Sequence, residues 1–293
     1  MGDPPTDARG DAAADGAPLP HGADTGEPPP VRLWFCACGD LPATVAEELA
    51  GHWLDEHERG VASRFVFGRD RRRYLVAHAL LRRALSLETG LPEGELAFRR
   101  SPRGRPALRL PRGGPLRGGR EPDFSLTHSG DWNLLGTVPR GRIGVDVESL
   151  DRGERGIRTV ERVFSAEERD WVAAGTPGRP RDHRVLRLWT LKEAYAKARG
   201  LGLALPFDSF SFTLAPDGGV TGFRPPADDS AGRWRFLEFE PAPDVVAAVA
   251  VRSDATPEPF AELRCGFPWS RAAPRVLVLP RTAEADQGPR TAP

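Results

Sequence analysis

Ile143-Gly144-Val145-Asp146-Val147-Glu148 alternates aliphatic and acidic side chains with a period of two, the pattern of a β-strand with one face buried. Ile143, Val145 and Val147 then point one way, and Asp146 and Glu148 the other. The two carboxylates lie about 7 Å apart by strand rise and repel unless a cation sits between them. Oxygen ligands without His or Cys partners favour Mg²⁺, a hard ion that keeps waters and often bridges to a substrate phosphate. The competing reading of a bare D-x-E is a solvated strand face.

Downstream, Trp189-Thr190-Leu191-Lys192-Glu193-Ala194-Tyr195-Ala196-Lys197 has helical character, and Glu193 and Lys197, four apart, share a face. Glu193 offers a third carboxylate, and Lys197 a cation one turn away that suits a phosphate-containing substrate. Lys192 lies about 140° round the helix from Lys197 and serves a structural purpose or the pocket rim. These are the only two lysines in a chain with 41 basic residues, so all other cations are arginines. Upstream, Phe124-Ser125-Leu126-Thr127-His128-Ser129-Gly130 places an imidazole among hydroxyls at a strand end, where it can meet a phosphate oxygen. Arg103-Gly104-Arg105-Pro106 and Arg69–Arg73 are anion-binding candidates, against the plain alternative that they are surface arginines.

Between these segments the element order is strand, helices, hairpin, then strand, helices, strands. A strand covers Val31–Phe35, and helices cover Ala43–His57 and Arg69–Thr89. A Gly-rich loop spans 111–121, followed by a hairpin of Asp123–His128 and Trp132–Val138. Beyond Glu148 comes a short helical stretch. Ser165 caps a helix to about Ala174, with Glu168 at the capping-box position, and a longer helix runs from Asp182 to Arg199. Strands follow at Ser209–Leu214, Val220–Phe223, Trp234–Glu240, Val245–Val251 and Arg275–Leu279. The expectation is an α+β protein in two halves of about 110 residues, 31–140 and 141–251. Residues 1–30 read as a disordered tail and 252–293 as a C-terminal extension with a disordered end.

The 293 residues carry 41 acidic against 41 basic side chains, which argues against a wholesale nucleic-acid binder. Three cysteines cannot make a disulfide framework, and no apolar run is long enough to span a membrane, so a cytoplasmic setting is expected. Phosphate loops, dinucleotide fingerprints, nucleophile elbows and Cys/His metal spacings are absent from the sequence.

In their order along the chain, R-G-R-P at 103–106, F-S-L-T-H-S at 124–129, G-V-D-V-E at 144–148, F-S-A-E-E at 164–168 and W-T-L-K-E-A-Y-A-K at 189–197 closely resemble the 4′-phosphopantetheinyl transferases. The following G-L-G-L-A-L-P-F-D-S-F-S-F resembles their long, surfactin-synthetase-activating branch, and the likeness spans roughly 32–251. It implies a pseudo-dimer of two similar halves, each a small, mainly antiparallel sheet packed on a long helix, monomeric, with coenzyme A between them. The reaction it implies moves phosphopantetheine from coenzyme A to a serine of an apo acyl or peptidyl carrier protein, with Mg²⁺. By resemblance, Asp146, Glu148 and Glu193 match the metal ligands. His128 matches a coenzyme A phosphate contact with Thr127 and Ser129 beside it, and Lys197 matches a diphosphate contact. Arg103, Gly104, Arg105, Pro106 and Arg73 match cofactor-contacting segments. Glu193, Lys197 and His128 are the expected catalytic groups. Val61 stands where family members often carry a basic residue, leaving Arg59 or Arg64 to substitute. The rival readings are a metal-dependent nucleotide phosphoesterase and a non-catalytic carrier-binding module.

Overall fold

The computed structural model describes residues 31–109, 121–152, 154–215, 219–252, 261–268 and 275–279. The chain opens with β1 (Val31–Ala37), followed by α1 (Ala43–Trp53), α2 (Glu56–Ala62) and α3 (Gly68–Thr89). A small hairpin, β2 (Ala97–Arg100) and β3 (Pro106–Arg109), precedes the hairpin of β4 (Asp123–Ser129) and β5 (Trp132–Val138). Then come β6 (Arg142–Ser149), α4 (Glu154–Glu161), α5 (Ala166–Ala173) and α6 (Arg179–Arg199). The remainder is strand: β7 (Ser211–Leu214), β8 (Val220–Arg224), β9 (Trp234–Ala242), β10 (Val245–Arg252), β11 (Ala261–Cys265) and β12 (Arg275–Leu279). The α+β class expected from the sequence is what forms. The tail at 1–30, the chain end at 280–293 and all of the Gly-rich stretch except Glu121 lie outside the described residues.

The helix expected over Ala43–His57 is two helices. Leu54 is extended, and Asp55 starts a second helix by accepting from Glu58 N (2.8 Å) while the Glu58 carboxylate accepts from Asp55 N (3.0 Å). This reciprocal cap satisfies two orphan donors and outcompetes continuation of α1. Helices α3 and α6 end at Gly90 and Gly200, where φ of +74° and +69° suits a residue without a Cβ. No helix among the described residues is long and apolar enough to cross a membrane.

Two sheets organise these elements. One has the order β12-β11-β1-β5-β4, the other β6-β10-β9. Alternation along the strands makes three cores. Trp34, Cys36, Phe124 and Leu135 pack on α1 and α3. Leu33, Phe35 and Leu134 meet Ile143, Val145, Val147, Val249 and Val251 between the sheets. Ala248, Ala250 and the aromatic group of Phe210, Phe212, Trp234 and Phe236 pack on α6. Strand β11 was not expected from the sequence. It lies parallel to β1, with Val31 opposite Ala261 and Phe35 opposite Cys265, so part of the segment read as an extension is built into the first sheet.

Strand β6 is therefore covered on both faces, and glycines permit the approach. A Cβ on Gly144 would run into the Ala194 carbonyl oxygen and come within 2.5 Å of Ala198 N on α6. A Cβ on Gly136 of β5 would lie 2.6 Å from Val145 Cγ1 and 2.7 Å from Ile143 Cδ1. Helix α6 is pinned on another side by Lys192. Its ammonium meets Glu168 (2.8 Å) and donates to Phe207 O (2.6 Å) and Phe210 O (2.7 Å). Lys192 and Glu168 are 0% and 1% exposed, and burial pulls the Lys192 pKa down to about 8 against the upward pull of Glu168. Of the two readings open from its helical angle, structural or at the pocket rim, Lys192 takes the structural one.

Two substitutions test these supports. Gly144→Ala forces β6 and α6 apart and is expected to lower unfolding free energy by at least about 2 kcal/mol in urea titration, whereas Gly39→Ala, with open space at its Cβ, stays within about 0.5 kcal/mol. Lys192→Met leaves the Glu168 carboxylate buried without its counter-ion and is expected to cost about 3 kcal/mol or more in the same measurement.

Candidate functional site

Edge strands β4 and β6 lie side by side, joined by side chains of β4. Asp123 Oδ2 accepts from Ile143 N (2.8 Å), and Ser125 Oγ accepts from Val145 N (3.1 Å). Farther along, Thr127 Oγ1 donates to Asp146 Oδ1 (2.9 Å), and Ser129 Oγ donates to Glu148 Oε2 (2.8 Å). Alternation on β4 sends Thr127 and Ser129 to this seam and His128 to the opposite face, toward α3. The three neighbours in sequence thus divide. Two hydroxyls hold the acidic strand, and the imidazole lies on the other side, solvent-accessible yet partly desolvated by its neighbours.

Helix α6 closes the seam from above with residues one turn apart. Trp189 Nε1 donates to Glu148 Oε1 (3.1 Å), and Lys197 Nζ donates to Asp146 Oδ1 (2.6 Å) and Thr127 Oγ1 (3.0 Å). Glu193 falls between Trp189 and Lys197 on the same helical stripe. Trp189 as a partner of Glu148 was not anticipated; its 189/193/197 spacing was the available signal. Asp146 is only 4% exposed, and its Oδ2 finds no hydrogen-bond partner among the described residues.

The expected metal ligands are thus Asp146, Glu148 and Glu193. Among the described residues no group of three or more His, Cys, Asp or Glu side chains is gathered closely enough to hold an ion. In this arrangement Asp146 is engaged by Lys197 and Thr127, and Glu148 by Ser129 and Trp189. The donors nevertheless fit a hard divalent cation. All are carboxylate oxygens, and the desolvated, unpartnered Asp146 Oδ2 is the atom such an ion would satisfy.

Arg105 takes a different place from that of an exposed anion binder. Its guanidinium donates to Asp123 Oδ2 (2.6 Å), Ile143 O (2.8 Å), Phe124 O (3.2 Å) and the Lys197 carbonyl. It fastens β4, β6 and the end of α6 together. Arg103 is exposed at the turn between β2 and β3, where Gly104 adopts φ +84°, and Pro106 begins β3 half-buried. Arg73 on α3 pairs with Asp131 (2.9 Å) and Asp70 (3.4 Å). Near Val61, Arg59 donates to the Leu54 carbonyl, while Arg64 is exposed. Glu168 is buried in its capping box and in the pair with Lys192, away from the seam.

His128 senses this cluster. Loss of hydration lowers its pKa, and the charges of Lys197, Arg73 and His78 lower it further against the opposing pull of Asp146. The imidazole is therefore neutral at physiological pH, able to donate one hydrogen bond and accept another.

Two adjoining family models match the chain. One, for the 4′-phosphopantetheinyl transferase superfamily, covers residues 142–250, and the other, for the 4′-phosphopantetheinyl transferase N-terminal region, covers 42–140. A 4′-phosphopantetheinyl transferase of Bacillus pumilus is 30% identical over 215 residues, 73% of this chain and 85% of that protein. One from a Nostoc strain is 30% identical over 223 residues, 75% of this chain and 87% of that protein. A solved holo-(acyl-carrier-protein) synthase of Bacillus anthracis superposes with a TM-score of 0.32 at 20% identity, covering 39% of this chain and 96% of that one.

An NMR titration of the imidazoles checks the electrostatics. The His128 midpoint is expected below its ordinary 6.5, and in Lys197→Met it rises toward that value. Because the folded-state pKa is depressed, the His128 contribution to stability is present above pH 6.5 and is lost as pH falls through the folded midpoint.

Proposed function

The chain belongs to the 4′-phosphopantetheinyl transferase superfamily, and from that premise we propose that it transfers 4′-phosphopantetheine from coenzyme A to a serine of an apo acyl or peptidyl carrier protein. The observation that carries this reading is the junction at Asp146. There the acidic strand, the β4 strand bearing His128 and the Glu193/Lys197 stripe of α6 converge on one buried carboxylate. A pseudo-dimeric arrangement, with residues 31–140 and 141–251 as its halves, agrees with the two adjoining family matches and with the seam falling between them.

In this proposal Asp146, Glu148 and Glu193 would hold Mg²⁺, whose charge would stabilise the diphosphate oxygens and the leaving group. The serine oxygen forms a bond to the phosphorus that carries the pantetheine arm, and the diphosphate P–O bond breaks, releasing adenosine 3′,5′-bisphosphate. The serine proton passes to the Glu193 carboxylate or to a water beside it. Lys197 offsets the charge gathering on the departing phosphate. Neutral His128 donates a hydrogen bond to a phosphate oxygen, and Arg73 and Arg103 lie toward the nucleotide end. Thr127, Ser129 and Arg105 act from behind by holding Asp146, Glu148 and the end of α6 in place. The setting proposed is cytoplasmic, with the protein acting as a monomer.

Intact-protein mass spectrometry tests the reaction. An apo carrier protein incubated with the enzyme, coenzyme A and Mg²⁺ is expected to gain about 340 Da, and Glu193→Ala or a chelator to abolish the gain. Consumption of coenzyme A without carrier modification would convert the reading to a phosphoesterase. Binding of coenzyme A and carrier without any reaction would convert it to a carrier-binding module.

A further inference from the structure

The ion pair between Lys197 and Asp146 joins a buried carboxylate to a partly open ammonium at the proposed cation position. Asp146 is 4% exposed, whereas the Lys197 side chain is 28% exposed. The ammonium reaches Asp146 Oδ1 at 2.6 Å and Thr127 Oγ1 at 3.0 Å, and the Thr127 hydroxyl donates a hydrogen bond to the same Oδ1 at 2.9 Å. One oxygen of Asp146 thus carries two donors, while the other, buried, carries none. The contrast is with Lys192, whose ammonium is fully enclosed by one carboxylate and two carbonyls.

We propose that Lys197 is a placeholder counter-ion: it neutralises Asp146 in the cation-free protein and is released when a divalent cation takes that carboxylate, which frees its ammonium for the substrate phosphates. The inference rests on the cation assignment of the preceding subsection and adds an order of events to it. A bare Asp146 carboxylate at 4% exposure would carry a heavy desolvation penalty, which the Lys197 ammonium offsets before the metal arrives. The lysine stem is flexible and its side chain is 28% exposed, so exchange requires only side-chain rotation. The ammonium on Oδ1 and a divalent ion on the free Oδ2 would set two positive charges against one carboxylate and repel each other, so cation binding and liberation of Lys197 are one linked equilibrium. Cation binding in the absence of coenzyme A is correspondingly weakened by the work of displacing Lys197. A diphosphate that attracts Lys197 away from Asp146 strengthens it.

The composition makes this measurable, because Lys192 and Lys197 are the only lysines in the chain. A short pulse of amine-acetylating reagent, followed by peptide mass spectrometry, reads each separately in the wild-type protein without coenzyme A. Calorimetry of MgCl₂ binding runs in parallel. The expected result is that Mg²⁺ raises Lys197 acetylation at least about threefold, with a midpoint matching the calorimetric affinity. Buried Lys192 stays unreactive throughout and serves as the internal control. In a second measurement, Lys197→Met binds Mg²⁺ about tenfold more tightly than wild type, while Lys197→Arg, which keeps a cation against Asp146, remains close to wild type. Should Lys197→Met fail to fold, the wild-type acetylation decides alone. Mg²⁺ binding with no change in Lys197 acetylation overturns the placeholder and leaves the transferase reading standing. No Mg²⁺ binding up to about 10 mM, a range that spans weak protein sites, overturns the placeholder and the cation assignment together.

Discussion

Everything at the proposed site depends on how closely β6 can be enclosed. Helix α6 lies on one face and the five-stranded sheet on the other, and neither approach leaves space for a Cβ at Gly144 or Gly136. This closeness lets the aliphatic residues of β6 fill the core between the sheets while Asp146 and Glu148 touch α6. A strand that stood off even slightly would leave Lys197 and Trp189 out of reach of the carboxylates, since hydrogen bonds weaken steeply with distance and misalignment. Two glycines thus set the geometry in which the charged groups meet.

Buried charge is handled in three ways in this molecule. Glu58 sits under α3; burial alone would raise its pKa, but hydrogen bonds from His78 and Arg82 and the Arg82 charge outweigh that and hold it at about 2. Glu168 and Lys192 form a second closed pair, tying α5 to α6. Asp146 differs because its pairing is incomplete, with one oxygen doubly bonded to donors and one orphaned. Closed networks rigidify a core, whereas an incompletely satisfied one leaves a buried polar atom that calls for an explanation. The same difference separates the two lysines, which the sequence presents only five positions apart.

The chain's return to its first sheet adds a constraint of another kind. Strand β11 lies parallel to β1, and Gly266 N donates to Phe35 O (2.8 Å) just beyond it. Residues from beyond the second sheet thereby cover an edge of β1 that would otherwise present unpaired backbone groups. The short alternation of Ala261, Leu263 and Cys265 with Glu262 and Arg264 is a weak strand signal, and pairing with β1 on one side and β12 on the other stabilises it.

Period and caps made most elements readable. The alternation of 143–148, the 189/193/197 helical spacing, the glycine stops at 90 and 200, and the Ser165–Glu168 box are local, and local propensity and tertiary packing agree on them. The division of α1 from α2 was also written locally, in Asp55 and Glu58, but resembled ordinary helix continuation until the reciprocal cap appeared. What only the tertiary structure decided is partnership. Thr127 and Ser129 hold carboxylates rather than stand beside His128, Arg105 fastens three elements rather than faces solvent, and Lys192 closes a buried pair while Lys197 meets Asp146. Residue type and spacing along the chain determine which face a side chain takes on its own element. Which group waits on the facing element, and how much water remains between them, is set by the approach of β4, β6 and α6, contacts between residues 19 to 92 positions apart that leave no periodic trace.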